Sequence, residues 1–472
     1  MLDSKSFRVQ AHQFADWMAD YLENIENYPV KSQVRPGTVY GQLPDAAPSQ
    51  GESVDAIMSD FEKIILPGIT HWQHPKFFAY FPANSSYASV LAEMLTATIG
   101  AQCMLWDTSP AAAELEEKTM HWLRDLIGLP STFEGVIQDS ASSATLAAIL
   151  SARERFSNYE INSSGFDTFK KLRVYASSET HSSIEKAVKI AGFGKNNLVK
   201  IPADEKFRLD PAALELSIEA DIGNGCHPVC VVATLGTTGT TAIDPLGAIA
   251  RICAKHKIWL HVDAAFAGTA LLLPEFHWMI EGIESVDSLV FNAHKWMFTN
   301  FDCSIYFIKD QTALKKTFEI LPEYLKTQSH GQVNNYCDWG VPLGRRFRAL
   351  KLWFVIRSFG VEAIQTILRN HLQLAKELAD KISNHSDFEL LAPVTVNLIC
   401  FRYHPKNTSD ENQLNALNEK LMGELNRTGQ IYLTHTKLNG KYTLRLCIGQ
   451  TRVEQRHVDE AWKLIQEISK KI

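Results

Sequence analysis

IWLHVDAAFAG, residues 258–268, begins as a short, almost wholly apolar run and ends in a carboxylate, Asp263, followed by small residues. A run this brief and this apolar reads as a strand buried on both faces, not as one side of a surface helix. Similar runs occur on either side of it: LRVYA (172–176), VCVVAT (229–234) and SLVFN (288–292). Between them, from about residue 85 to 350, the apolar spacing is helical. Strands alternating with helices predict an α/β fold with a mostly parallel sheet covered on both faces. In such sheets ligands sit beyond the carboxyl ends of the strands, so the residues just after each run are the candidates for chemistry.

Further out, the pattern changes at both ends. Phe14, Trp17, Met18, Tyr21 and Ile25 recur at helical spacing, and Pro29 and Arg35-Pro36-Gly37 end that helix. Its aromatic area must be buried, on its own body or on a second subunit. After residue 353 come a helical stretch (361–383), two strand-like runs (394–403 and 442–448) and a closing helix, which read as a smaller α+β domain. The expected organisation is an N-terminal helical segment (1–84), a large α/β domain (85–352) and a C-terminal α+β domain (353–472). A polar stretch at about 312–337 reads as a mobile loop.

Length and composition agree with a folded enzyme-sized chain. At about 150 residues per domain, 472 residues predict roughly three folding units. With 45% hydrophobic and 21% charged residues, disorder, collagen and small disulfide scaffolds are excluded. The net charge of −6, without blocks of like charge, gives no footprint for nucleic acid. Eight scattered cysteines, with Cys226 and Cys230 the one close pair, match no zinc spacing and read as buried thiols in a reducing compartment. No apolar signal core opens the chain, and no run of about 18 apolar residues occurs. These features predict a soluble, cytoplasmic protein.

Each candidate residue has an ordinary reading when taken alone. Asp263 is either a turn aspartate or a carboxylate placed against a flat ligand. Lys295, just past 288–292 and flanked by His294, Trp296, Met297 and Phe298, is either a lysine snorkelling to solvent or a desolvated amine nucleophile. The two are 32 residues apart, about one βα unit, so their strand ends fall close together in one sheet. An amine and a carboxylate on adjoining strand ends are what a pyridoxal phosphate site requires. Ser140-Ala141-Ser142-Ser143 opens a helical run and offers hydroxyls and backbone N–H groups to a phosphate, or is a plain helix cap. His181, after 172–176, either stacks on the ring or caps a helix; Thr238, after 229–234, can approach the ring's phenolic oxygen.

These residues resemble the group II pyridoxal-phosphate-dependent decarboxylases, and within them the aromatic-L-amino-acid decarboxylases. The resemblance rests on His181, Thr238, HVDAAFAG (261–268) and NAHKW (292–296). It extends over HWQHPKFFAYFPANSSY (71–87), SPAAAELE (109–116), QDSASSATL (138–146) and PLGRRFRALKLWFV (342–355). It implies an aspartate aminotransferase-like, fold-type I enzyme that binds pyridoxal 5'-phosphate. It also implies a homodimer with the active site at the subunit interface, the helical arm wrapped around its partner. By the resemblance, Lys295 is the covalent cofactor lysine and Asp263 the partner of the ring nitrogen. His181 stacks on the ring, Ser140, Ala141, Ser142 and Asn292 hold the phosphate, and Thr238, Ala265 and His294 line the cofactor. LPEYLKTQSHG (321–331) places at Tyr324 the family's loop tyrosine, which protonates the carbon that loses carbon dioxide.

The implied reaction is decarboxylation of tryptophan, tyrosine, DOPA or phenylalanine to the amine. The alternatives are a glutamate- or histidine-type decarboxylase, an aldehyde-forming relative and, least favoured, a non-catalytic cofactor-binding dimer. Aldehyde-forming relatives replace the loop tyrosine or the stacking histidine, and both are present here. Trp72, Phe77, Phe78, Tyr80, Phe81 and Pro82 form an aromatic cluster for a flat side chain, and no Arg or Lys falls within 77–87 to pair with an acidic one. Gly344 matches a position where glycine leaves room for large rings. Ala83 replaces the usual threonine, and Phe266 a tyrosine. Gln102 and Met104 stand where relatives place an aliphatic residue and a phenylalanine against the ring from the partner subunit.

Overall fold

The structure is a computed structural model that describes residues 3–320 and 331–472. The described chain falls into two compact units: residues 83–373 with 392–399, and residues 1–82 with 374–391 and 400–472. This division differs from the three segments expected from sequence. The N-terminal segment clusters with the C-terminal one, and helix Arg348–Phe359 belongs to the larger unit.

The larger unit is built on a seven-stranded sheet. Its strands are β1 (Glu134–Gln138), β2 (Leu172–Ser177), β3 (Leu198–Ile201), β4 (His227–Thr234), β5 (Trp259–Asp263), β6 (Ser288–Asn292) and β7 (Ser304–Ile308). Their order is β1-β7-β6-β5-β4-β2-β3, and β7 runs antiparallel to both its neighbours while the others run parallel. Every residue of β5, β6 and β7 is buried, as expected where helices cover both faces. The expected α/β class with a mostly parallel sheet is therefore present.

Helix Ala141–Phe156 packs across β4 to β7 through small residues, Ala144, Ala147, Ala148 and Ala152, which let it approach closely. His261 pins it there. Its Nε2 lies 3.2 Å from Thr145 Oγ1 and its Nδ1 2.9 Å from Ser288 Oγ. Burial lowers the pKa of this imidazole to about 3, so it stays neutral. Trp259, Trp296, Phe266 and Phe291 are among the largest wholly buried side chains, each contributing about 1.5–3 kcal/mol by leaving water.

The smaller unit carries most of a second sheet, β8 (Phe388–Leu390), β9 (Leu398–Tyr403), β10 (Thr434–Leu438) and β11 (Lys441–Cys447), ordered β10-β11-β9-β8. The N-terminal chain is stitched into this unit by main-chain bonds from Val30 to Gly429, Phe78 to Tyr432 and Cys447 to Phe78. Helix Ser4–Glu23 is amphipathic as expected, yet none of its residues is buried.

Candidate active site

Parallel strands bring their carboxyl ends to one edge, and the larger unit gathers its candidate residues there. In the β4–β5 register Thr234 faces Asp263, and in the β5–β6 register Asp263 faces Val290. Asp263 is 5% exposed; its main-chain oxygen accepts from Leu235 N–H (2.9 Å) and its Oδ1 from Ala265 N–H (3.0 Å). The turn after β5 is bonded to β6 by Ala264 N–H to Val290 O (2.9 Å) and Asn292 N–H to Ala265 O (3.0 Å). Asn292 Oδ1 accepts from the Ser304 hydroxyl. Lys295 follows on the one-turn helix Ala293–Trp296, half-buried between the wholly buried His294 and Trp296. His294 Nδ1 accepts from Cys303 N–H at 2.9 Å, and the ring lies 4.5 Å from Phe301. Burial, then the charge of Lys295, lowers its pKa to about 4.

His181 caps helix Ser182–Ile190, its Nδ1 accepting from Ser183 N–H (3.2 Å) and lying 2.8 Å from Ser183 Oγ. That leaves the proton of the neutral ring on Nε2. One edge is open to solvent, but its dense surroundings lower the pKa, while Asp263 acts to raise it and Lys295 to lower it. Asp263, which ends β5, and Lys295, just past β6, stand on adjoining parallel strands.

At the end of β1, Ser140 caps helix Ala141–Phe156, its hydroxyl accepting from Ser143 N–H at 3.2 Å. Ala141 and Ser142 stand in the first turn, where backbone N–H groups have no partner inside the helix. Thr238 is exposed at the tip of the turn after β4. That turn needs Gly236, which has φ +93° and whose absent Cβ would lie 2.6 Å from the Ala267 Cβ.

Asp244 secures the same turn and was not singled out from sequence. It is 1% exposed and accepts from Thr234 N–H and Leu209 N–H, each at 2.7 Å. Burial nevertheless pushes its pKa up to about 7. The signal in sequence was slight: an aspartate before Pro245, closing a Thr/Gly-rich turn.

Also in the larger unit, Gln102 Oε1 accepts from Arg345 N–H (2.7 Å), and a Cβ on Gly344 would lie 3.1 Å from Gln102 Nε2. The Gln102 amide oxygen is thus engaged with main chain. Met104 O accepts from Cys337 N–H at 3.0 Å. Arg345, likewise missed from sequence, is buried and reaches Glu116 Oε1 (2.7 Å) and Ile137 O (2.8 Å). Ala83, in this unit, is half-buried. Tyr324 lies outside the described residues; before it the chain forms helix Gln311–Phe318, and after it the turn Tyr336–Trp339.

The smaller unit holds the aromatic cluster. Trp72 stacks on Tyr80 (5.9 Å, 16°), and Tyr432 meets Tyr80 edge-on (6.0 Å, 79°). Phe77 and Phe78 are wholly buried core, and Pro82 is buried too. Phe81 lies under the Arg445 guanidinium at 5.4 Å. Tyr432 and Arg445 come from the far end of the chain, which is why the local sequence did not reveal them.

Residues 36–404 match the pyridoxal-dependent decarboxylase conserved domain. The chain is 43% identical to phenylacetaldehyde synthase of Arabidopsis thaliana (99% of this chain, 96% of that protein) and 42% identical to tyrosine decarboxylase 2 of Narcissus pseudonarcissus (99% and 94%). It superposes with a TM-score of 0.94 on tryptophan decarboxylase of Catharanthus roseus in complex with L-tryptophan, at 39% identity, covering 100% of this chain and 99% of that one. The donor set suits pyridoxal 5'-phosphate. An amine, a carboxylate, a neutral imidazole and a helix N-terminus along one sheet edge answer its carbonyl, ring nitrogen, ring face and phosphate. Shared sequence over most of the chain, the common fold and this donor set agree: the chain belongs to the pyridoxal-dependent decarboxylase family.

Proposed function

We propose that this enzyme removes the α-carboxylate of an aromatic L-amino acid, releasing the amine and carbon dioxide. The observation that carries the reading is the placement of Asp263 at the end of β5 and Lys295 just past β6, on adjoining parallel strands. When bound, pyridoxal phosphate supplies the sink for the electron pair left by the departing carboxylate. Lys295 would hold the cofactor covalently through its amine. Asp263 keeps a proton on the ring nitrogen. His181, its tautomer fixed by Ser183, presents a neutral face to the ring. Ala141 and Ser142 N–H groups, Ser140 and Asn292 hold the phosphate, with Thr238, Ala265 and His294 beside the cofactor. Tyr324 delivers a proton to the α-carbon, a role worth about 10²–10⁴ in rate.

The aromatic substrate is supported by the tryptophan and tyrosine decarboxylases among the relatives and by the cluster of Trp72, Tyr80 and Phe81. Pro82, Ala83, Gln102, Met104 and Gly344 complete the proposed substrate set. A homodimer is part of the reading. Helix Tyr87–Ile99 exposes Tyr87 (55%), Leu91 (56%), Leu95 (45%) and Ile99 (60%), one apolar stripe at four-residue spacing. The cytoplasm suits eight cysteines that are all buried and not joined in disulfides.

The second reading, aldehyde formation, is favoured by the likeness to phenylacetaldehyde synthase. It is opposed by the presence of both His181 and Tyr324. A competition assay decides between them. Equal amounts of tryptophan, tyrosine, DOPA, phenylalanine, histidine and glutamate are incubated with the pyridoxal phosphate-loaded enzyme, and mass spectrometry scores amines and aldehydes. An aromatic amine as the dominant product is expected. Aldehydes, or the amine from glutamate, would overturn the reading.

A further inference from the structure

Lys295 stands on a single helical turn, which has little stability of its own. What orients that turn lies behind it. Trp296 is wholly buried, and its indole N–H donates to Nδ1 of His371 at 2.9 Å. His371, from helix Val361–Ser383, is 1% exposed and its ring is within 19° of the indole plane. Phe266, three residues beyond Asp263, stacks on the same indole at 5.3 Å and 21°.

Two residues after Trp296 the backbone is unusual. Phe298 has φ 53°, the left-handed region that a bulky aromatic seldom occupies. Its ring meets the edge of His371 (6.3 Å, 71°) and stacks on Phe359 (5.6 Å, 24°). Such a conformation persists only where its surroundings over-determine it. His371 contacts both Trp296 and Phe298, so it grips the chain immediately after the lysine at two points. Burial lowers its pKa to about 3, so the ring is neutral and Nδ1 is free to accept.

We infer that His371 is a positioning residue for Lys295. By accepting the Trp296 indole N–H it sets the direction of the turn that presents the amine, and through the Phe266 stack it links that turn to the one after Asp263. The carboxylate and the amine are thereby held in register from behind, by groups that touch neither cofactor nor substrate. This inference rests on the reading of Lys295 as the cofactor lysine.

Three full-length variants test it. His371→Leu removes the acceptor, Trp296→Phe removes the donor but keeps a ring, and His371→Asn returns an acceptor near the place of Nδ1. Titration with pyridoxal phosphate gives an apparent Kd, and the visible band of the bound cofactor gives the midpoint pH at which the Lys295 linkage titrates. Borohydride reduction and peptide mapping identify the lysine joined to the cofactor. We expect His371→Leu and Trp296→Phe each to weaken binding about tenfold, the effect of losing one buried hydrogen bond, and to move the midpoint pH. His371→Asn should recover most of both, and the double variant should be no worse than either single one, because both lose the same bond. A purely structural role would change melting temperature without moving the midpoint pH, and that result would overturn the inference. So would wild-type values for Trp296→Phe, the variant most certain to fold. Reduction that joins the cofactor to another lysine would overturn the reading of Lys295 itself, and the inference with it.

Discussion

Gln102 and Arg345 are joined at the backbone: the side-chain oxygen of the first accepts the N–H of the second at 2.7 Å, while Cys103 N–H returns a bond to Arg345 O at 3.0 Å. Gln102 is thereby fixed beside Gly344, where an added Cβ would approach its Nε2 to 3.1 Å. Gly344→Ser therefore sets a hydroxymethyl group against an amide that is tied down. On the proposed reading, kcat/KM for tryptophan should fall about tenfold more than for tyrosine, within the 1–3 kcal/mol that small changes in a ring pocket produce. Adding Gln102→Ala should return part of the loss. Equal losses for both substrates would separate this position from ring size.

Asp244 makes stability depend on pH. Its pKa rises from the usual carboxylate value, near 4, to about 7 on folding, chiefly through burial. The folded state thus binds the proton more tightly than the unfolded one. Its contribution is complete below about pH 4 and is lost as pH climbs to about 7, an effect of up to roughly 4 kcal/mol. Asp244→Asn cannot titrate and should flatten this part of the curve. It also turns an amide N–H toward one of two backbone donors, costing about 1–3 kcal/mol. Urea unfolding between about pH 4.5 and about pH 7.5, roughly the span of the titration, measures both effects. An unchanged slope in the variant would show that the carboxylate ionises freely.

Asp263→Asn tests the electron-sink role without removing the side chain. Asparagine keeps an oxygen for the Ala265 N–H, so the turn after β5 should hold. Loss of the negative charge should lower kcat about 10²–10³-fold, comparable to removing one preorganised electrostatic group. Single-turnover kinetics would separate this from slow product release. A variant with near-normal kcat would detach Asp263 from the chemistry.

The exposed stripe of helix Tyr87–Ile99 gives a direct test of assembly. Leu91→Glu with Ile99→Glu places two charges where Leu91 and Ile99 are 56% and 60% exposed in the single chain. In a monomer these changes should cost little, because exposed substitutions usually fall within about 0.5 kcal/mol. In the proposed dimer they should drive sedimentation to the mass of one chain and reduce activity with it.

What was legible from sequence follows from how local each signal was. β2, β4, β5 and β6 were readable because central parallel strands are largely apolar. β3 has four residues and one exposed lysine, so it left too short a pattern. β7 is as apolar as its neighbours, and nothing local encodes that it runs the other way. Asp263 and Lys295 stood out because one ends such a strand and the other comes just after one. Asp244, Arg345 and His371 did not, since each acts through a partner brought near only by folding. The absence of a cation within 77–87 was a local observation as well: β11 brings Arg445 over Phe81.

Tyr324 carries the choice between amine and aldehyde. On the proposed reading its hydroxyl protonates the α-carbon as carbon dioxide leaves, and the electron-rich centre is exposed to oxygen only if that step is slow. Tyr324→Phe removes the proton and little else. It should lower amine production by about 10²–10⁴ and turn the residual product toward aldehyde, with oxygen consumed in proportion. Parallel mass spectrometry and an oxygen electrode measure both. If the variant still makes amine at the normal rate, the proton comes from another group, and His181, with its proton held on Nε2, is the next to substitute.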